Sequence, residues 1–213
     1  MEITAITIKD QQYPAELKAI GSDAPAILYA MGNLDLLNSD NRVAIIGARK
    51  ADRKGYDAAY CLGRQYAEAG YIIVSGLALG CDTAAHRGCI DAGGRTLAIV
   101  ATGLDRVHPI ENTTLQEDIL RTGGLVLSEQ PLGTKANPTR LVARNRLQAA
   151  LSKQIRVAQC PERSGSLYTV NFAHKYGKDV LAVDFGYVNA ANAGNRELIE
   201  SGRAERIKIG QKD

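Results

Sequence analysis

Val43-Ala44-Ile45-Ile46-Gly47-Ala48-Arg49-Lys50-Ala51-Asp52-Arg53-Lys54-Gly55 is the stretch on which the fold turns. A short run of small and branched apolar residues stops at a glycine, and a cationic loop follows. From Lys54 to Gly70 the residues Tyr56, Ala59, Tyr60, Gly63 and Ala67 then recur every three or four positions. An apolar run followed by a stripe of helical period predicts strand, loop and helix. The run is apolar at consecutive positions, which suits a strand covered on both faces.

Working outward, the strand signal returns at Tyr71–Val74, Thr96–Val100, Leu125–Leu127, Ile155–Ala158 and Val180–Val183. Most intervals between these runs have helical spacing. Alternation at this interval is the mark of βαβ units. The expected fold is therefore α/β: an extended Rossmann-like, doubly wound, mostly parallel sheet with helices on both faces. Residues 1–40, with Tyr13-Pro14 and Pro25, read as a less regular N-terminal extension packed on that sheet. One Rossmann-like domain is expected over residues 1–213.

Bulk composition narrows the function classes. A chain of 213 residues with 45% hydrophobic content is long enough for a sizeable core. Its 26 Lys and Arg against 23 Asp and Glu leave only +3, so any nucleic-acid affinity must come from local clustering. Cys61, Cys81, Cys89 and Cys160 lack C-x-x-C spacing and are read as reduced, mostly buried thiols. His86 with Cys89 is the nearest approach to a ligand pair, and no metal or other cofactor is expected. No basic segment followed by an apolar stretch begins the chain, and no apolar run approaches the ~18 residues of a membrane span. The expected location is cytoplasmic, without membrane contact.

In doubly wound sheets, ligands bind beyond the carboxyl ends of the strands. The first such loop puts Gly47, Ala48, Arg49 and Lys50, then Arg53 and Lys54, beside a helix start, where free N–H groups favour anions. Gly47 serves either a tight turn or close approach of a phosphate, and Arg53 and Lys54 are equally readable as solvated charges. The loop is neither a GxGxxG fingerprint nor a Walker motif. In the second loop, Ser75-Gly76 to His86, Gly76 and Gly80 permit close backbone approach, and Asp82 either caps the next helix or has a functional role. His86, one turn later, reads as a packing residue.

Beyond the fourth run, Ser128-Glu129 reads as a partner for one arginine of the helix carrying Arg140, Arg144 and Arg146. At about 100° per residue, Arg140 and Arg144 share a stripe, whereas Arg144 and Arg146 point about 200° apart. Ala143, Leu147, Ala150 and Leu151 mark the buried face of that helix. The fifth loop, Arg163-Ser164-Gly165-Ser166, opens a helix from Leu167 to Tyr176 with a cation beside exposed amides.

The ordered set Ile46-Gly47-x-Arg49-Lys50, Ser75-Gly76-Leu77-Ala78-x-Gly80-x-Asp82-x-x-Ala85-His86, Gly93-Gly94-x-Thr96, Gly103-Leu104-Asp105, Ser128-Glu129, Arg144-Asn145-Arg146, Ser164-Gly165-Ser166-Leu167-x-Thr169 and Gly194-Asn195-x-x-Leu198-Ile199 resembles the DprA/Smf DNA-processing family. The likeness runs from about residue 11 to 207. It implies a protein that binds single-stranded DNA in a basic pocket, as a homodimer, and assists a RecA-type recombinase during natural transformation, with no catalysis. On that likeness the pocket would use the Gly47-Ala48-Arg49 turn, Lys135 or Arg140, and Arg163. Departures are Leu79 where a basic residue is common, Leu141-Val142 for Phe-Pro, His108-Pro109 for Tyr-Pro, Gln159 for Glu, and Asp184-Phe185-Gly186 for a Pro-Gly turn. The chain reads as a family core without the N-terminal helical and C-terminal winged-helix domains.

Three functions compete on the sequence. Cations at three strand-end loops favour a non-enzymatic single-strand DNA binder using Gly47, Ala48, Arg49, Lys50, Gly76, Gly80, Lys135, Arg140, Arg144, Asn145, Arg163, Ser164, Gly165 and Ser166, with Tyr56 and Tyr168 as stacking candidates. A nucleotide-binding sensor or nucleotide-processing hydrolase would use the same strand edge. The helix after Ser164-Gly165-Ser166 carries no carboxylate through Tyr176, which argues against glycosidic hydrolysis there. An interaction protein that has lost its ligand is the third.

Overall fold

In the computed structural model, residues 2–209 are described, so Met1 and residues 210–213 of the expected domain lie outside the description. The strands are β1 (Ile3–Thr7), β2 (Ile27–Gly32), β3 (Arg42–Ile46), β4 (Ile72–Ser75), β5 (Thr96–Val100), β6 (Leu125–Ser128), β7 (Gln154–Val157), β8 (Asp179–Val183) and β9 (Glu205–Ile207). The helices are α1 (Ala15–Lys18), α2 (Arg53–Glu68), α3 (Cys81–Asp91), α4 (Thr113–Arg121), α5 (Pro138–Ala143), α6 (Asn145–Leu151), α7 (Ser166–Lys175) and α8 (Ala193–Glu200). All nine strands form one sheet in the order β1-β2-β6-β5-β4-β3-β7-β8-β9.

From β6 to β9 across the sheet every neighbouring pair is parallel, whereas β2 runs antiparallel to both β6 and β1. The stretch read as an irregular extension thus supplies two strands of the sheet, β1 at its edge and β2 between β1 and β6, a correction to the reading of residues 1–40. Its fastening includes Arg42, 1% exposed, whose guanidinium donates to the carbonyls of Leu36, Leu37 and Leu151 and to Glu16.

Alternate residues of each strand face opposite layers. Ala44, Ile46 and Val74 meet Leu147, Ala150, Val170 and Leu198 on one face; Val43, Ile45 and Ile73 meet Ala59, Leu62, Ala85 and Cys89 on the other. Both faces of the central strands are therefore dry, as a parallel sheet requires. The chain winds β3-β4-β5-β6 in one direction and returns through β7-β8-β9 in the other. The reversal lies between β3 and β7, and the crevice outside their carboxyl ends is where such folds place ligands.

Candidate nucleic-acid interface

The loop leaving β3 is fixed at its base. Ala48 N–H donates to Gln159 O (2.7 Å), and Cys81 N–H donates to Ala48 O (3.1 Å). A Cβ on Gly47 would lie 2.5 Å from Cys81 Sγ and 2.9 Å from Gln159 O, so the glycine is required for this approach. A Cβ on Gly80, at φ +74°, would lie 2.3 Å from Ala48 O and 2.6 Å from Arg49 O. Arg49 and Lys50 thus project from a loop braced by the ends of β4 and β7.

The adjoining start of α2 is capped from within the chain. Asp52 caps it, its Oδ1 accepting from Gly55 N–H (2.8 Å) and from Gln159 Nε2 (2.8 Å). The Gly55 amide, foremost, holds the Asp52 carboxyl below its ordinary range. Arg53 pairs with Asp57 (2.8 Å), and Lys54 lies 4.4 Å over the Tyr187 ring. Of the cations read into this loop, two turn away and two remain.

The helix expected to carry Arg140, Arg144 and Arg146 is broken into α5 and α6, with Arg144 at the joint. Asn137 starts α5 by accepting from Arg140 N–H (2.8 Å), with Pro138 in the first turn. Arg146 is consumed structurally: Glu129 accepts from it at 2.8 and 2.5 Å, and Asp23 O at 2.8 Å. Arg140 donates to Gln130 Oε1 and Lys135 O, each at 3.1 Å.

Arg144 points inward and is 4% exposed. Its Nη2 lies 4.0 Å from Asp82 Oδ2, while its Nε has no partner. The Gln148 amide, turned to face its donors, accepts from Gly76 N–H (3.0 Å) and from Arg144 Nη1. Asp82 does not cap α3. Its Oδ2 instead accepts from Gly76 N–H (3.1 Å) and Ala78 N–H (3.3 Å), which shapes the loop after β4. Burial raises the Asp82 carboxyl above its ordinary value, with Arg144 and the two amides opposing.

These parts surround one cavity of about 420 Å³ at the β3–β7 reversal. Gly47, Ala48, Arg49, Lys50, Arg144, Asn145, Arg163, Ser164, Gly165 and Ser166 line it. Gly76, Gly80, Lys135 and Arg140 do not: the two glycines act behind the wall, Lys135 is exposed outside it, and Arg140 is tied to its own loop. The start of α7 also faces the cavity and has no acidic residue in its first turn. Among the described residues Arg49, Lys50 and Arg163 pair with no carboxylate, and Asp82 is the one acidic residue lining the cavity. Four cations against one carboxylate make this cavity locally basic, in contrast to the near balance of the whole chain.

Sequence reasoning missed Gln148 altogether and marked Leu141 and Val142 only as departures from the family pattern. Gln148 is a buried mid-helix amide without a motif. Leu141 and Val142 form an apolar side through the break at Arg144, which the spacing of arginines alone does not reveal. The stacking candidates lie elsewhere: Tyr56 packs in the α2–α3 layer, and Tyr168 is half exposed on α7 outside the cavity. His86 is fully buried with Nδ1 2.6 Å from Thr96 Oγ1, and burial holds it neutral. Cys81 and Cys89 are pushed up to about 12 and Cys160 to about 11 by burial, so all three are neutral thiols. Among the described residues no group of three or more His, Cys, Asp or Glu is placed to hold a metal, and no helix is long and apolar enough to cross a membrane.

The family model described as DNA recombination-mediator protein A matches residues 4–212. The chain belongs to the DprA family. DNA processing protein DprA of Streptococcus pneumoniae is 39% identical over 207 residues, which cover 97% of this chain and 72% of that protein. The X-ray structure of the Streptococcus pneumoniae protein superimposes with a TM-score of 0.89 at 37% identity, over 99% of this chain and 73% of that one. DNA processing protein A from Helicobacter pylori, whose structure bears on a single-stranded DNA binding mode, gives a TM-score of 0.85 at 30% identity. That match covers 97% of this chain and 91% of the other. The extended Rossmann-like sheet is thus the DprA fold.

Proposed function

We propose that this DprA-family chain is a DNA-processing protein that binds single-stranded DNA in the cavity between the ends of β3 and β7. The observation that carries the reading is the convergence of Arg49, Lys50, Arg144 and Arg163 with the amide end of α7 on one cavity. Cations suit phosphodiester oxygens, and they carry the site here, because at this helix start Ser166 N–H already donates to Ser164 Oγ (3.2 Å) and Leu167 N–H to Ser164 O (3.2 Å). The apolar side at Leu141 and Val142 offers a surface for a base, weaker than the aromatic platform usual at single-strand sites. Among the described residues no carboxylate pair faces the cavity, and the assigned role is binding without catalysis. In the cell the chain acts in the cytoplasm as a homodimer, protecting incoming DNA and assisting a RecA-type recombinase in natural transformation. Membership of the DprA family supports these finer assignments.

A second reading has one observation in its favour. A cavity of about 420 Å³ falls within the range of small-molecule sites, which suits a nucleotide sensor. Fluorescence anisotropy of a labelled oligothymidylate separates the two. The DNA reading expects binding at low salt, weakened about fivefold or more by Arg49→Ala and by Arg163→Ala. No binding at low salt, with thermal stabilisation by a mononucleotide alone, would overturn it in favour of the sensor.

A further inference from the structure

Of the four cavity cations, three stand on loops without a carboxylate partner among the described residues, whereas Arg144 is walled in by Asp82, Gln148 and Gly76. A guanidinium that is 4% exposed points where its neighbours aim it. Asp82 is itself immobilised by the amides of Gly76 and Ala78, so it is a fixed counter-charge. Gly76 has a matching role. A Cβ there would lie 1.5 Å from Arg144 Nη1, so the guanidinium keeps this position only over a glycine.

We propose that Asp82 is a positioning residue that aims Arg144 at the bound DNA strand, a role that rests on reading this cavity as the DNA site. Charge arithmetic and positioning predict opposite signs. A carboxylate beside a phosphate site repels the ligand, so removing it as a mere charge tightens binding. Removing it as the brace of Arg144 loosens binding, because a buried cation without its partner moves or becomes costly to keep.

The experiment measures anisotropy of a labelled oligothymidylate with the full chain, four single variants and the Asp82→Asn, Arg144→Gln double variant, each checked for folding by thermal melting. Asp82→Asn retains an acceptor for the Gly76 and Ala78 amides and is expected to bind about fivefold more weakly or worse. In the Arg144→Gln background, Asp82→Asn is expected to add no further loss. Gly76→Ala leaves every charge in place and is expected to weaken binding by displacing Arg144. Unchanged or tighter binding by folded Asp82→Asn overturns the proposal, as does full additivity with Arg144→Gln. Should Asp82→Asn fail to fold, unchanged binding by Gly76→Ala overturns it. Arg49→Ala separates the two levels: if it and Arg144→Gln both leave affinity unchanged, the DNA site itself is misplaced and the positioning role falls with it.

Discussion

His86 and Asp82 sit a turn apart on α3 and respond to acid in opposite directions. Thr96 donates its single hydroxyl proton to Ile73 O (2.8 Å), so it accepts from His86 Nδ1–H and leaves Nε2 as a buried lone pair without a donor. Burial first, and Arg144 second, push the imidazole down to about 3 from 6.5. Between those values the unfolded chain binds the proton and the folded chain refuses it. Stability from this residue is whole above pH 6.5 and falls as pH drops towards 3, by at most about 1.4 kcal/mol per pH unit. The raised Asp82 carboxyl contributes with the reverse sign, favouring the folded state at low pH and losing that as pH rises. Comparison with His86→Met isolates the histidine: in urea titrations the wild type should lose stability relative to the variant as pH falls below 6.5, and a pH-independent difference would refute this assignment. The sequence marks His86 as a packing residue, since one helical histidine without a partner motif has no better reading. It does not reveal that Asp82 reaches back to Gly76 and Ala78, because Asp one residue into a helix looks like a cap until the loop path is known.

At the scale of elements, α2 and α3 cross backbone against backbone. A Cβ on Gly63 would lie 2.3 Å from Ala85 O, and one on Gly88 would lie 2.1 Å from Tyr60 O. Gly63→Ala therefore sets two effects against each other, a gain of about 1 kcal/mol in helix propensity and an overpacking cost of about 1–3 kcal/mol. The obstructing atom is a carbonyl oxygen within a helix and cannot swing aside, so the cost prevails. A lower midpoint is expected in thermal melting, and a raised one would show that the helices part freely. Helix α2 is legible from its period, although its buried stripe centres on Ala58, Ala59 and Leu62, leaving Tyr56 and Tyr60 half buried. The break at Arg144 is not legible from arginine spacing. Its signal is Asn137-Pro138, a cap followed by a first-turn proline, which places a helix start nearer the joint than the apolar stripe suggests. Strand β1 was open to detection, since Ile3-Thr4-Ala5-Ile6-Thr7 is rich in strand formers; β9, three residues long, carries no such signal.

For the whole molecule, the six central apolar runs yield a doubly wound sheet, yet their order across it is set by which helix covers which face. The β3–β7 reversal follows from α5 and α6 carrying the chain from β6 across to the far side of β3. Individual loops announce Gly47 to Lys50 and Arg163 to Ser166 as anion-binding candidates, while only the strand order brings them to one cavity and leaves Lys135 and Arg140 outside it. Convergence of cations is the central claim, and the salt dependence of oligothymidylate binding tests it most directly. Each phosphate neutralised on a single strand contributes about −0.7 to the slope of log affinity against log salt. Four cavity cations predict a slope of about −2 to −3 for the wild type, made shallower by roughly 1 to 1.5 in the Arg49→Ala, Arg163→Ala double variant. A slope near zero, or one that the double variant leaves unchanged, would contradict the account.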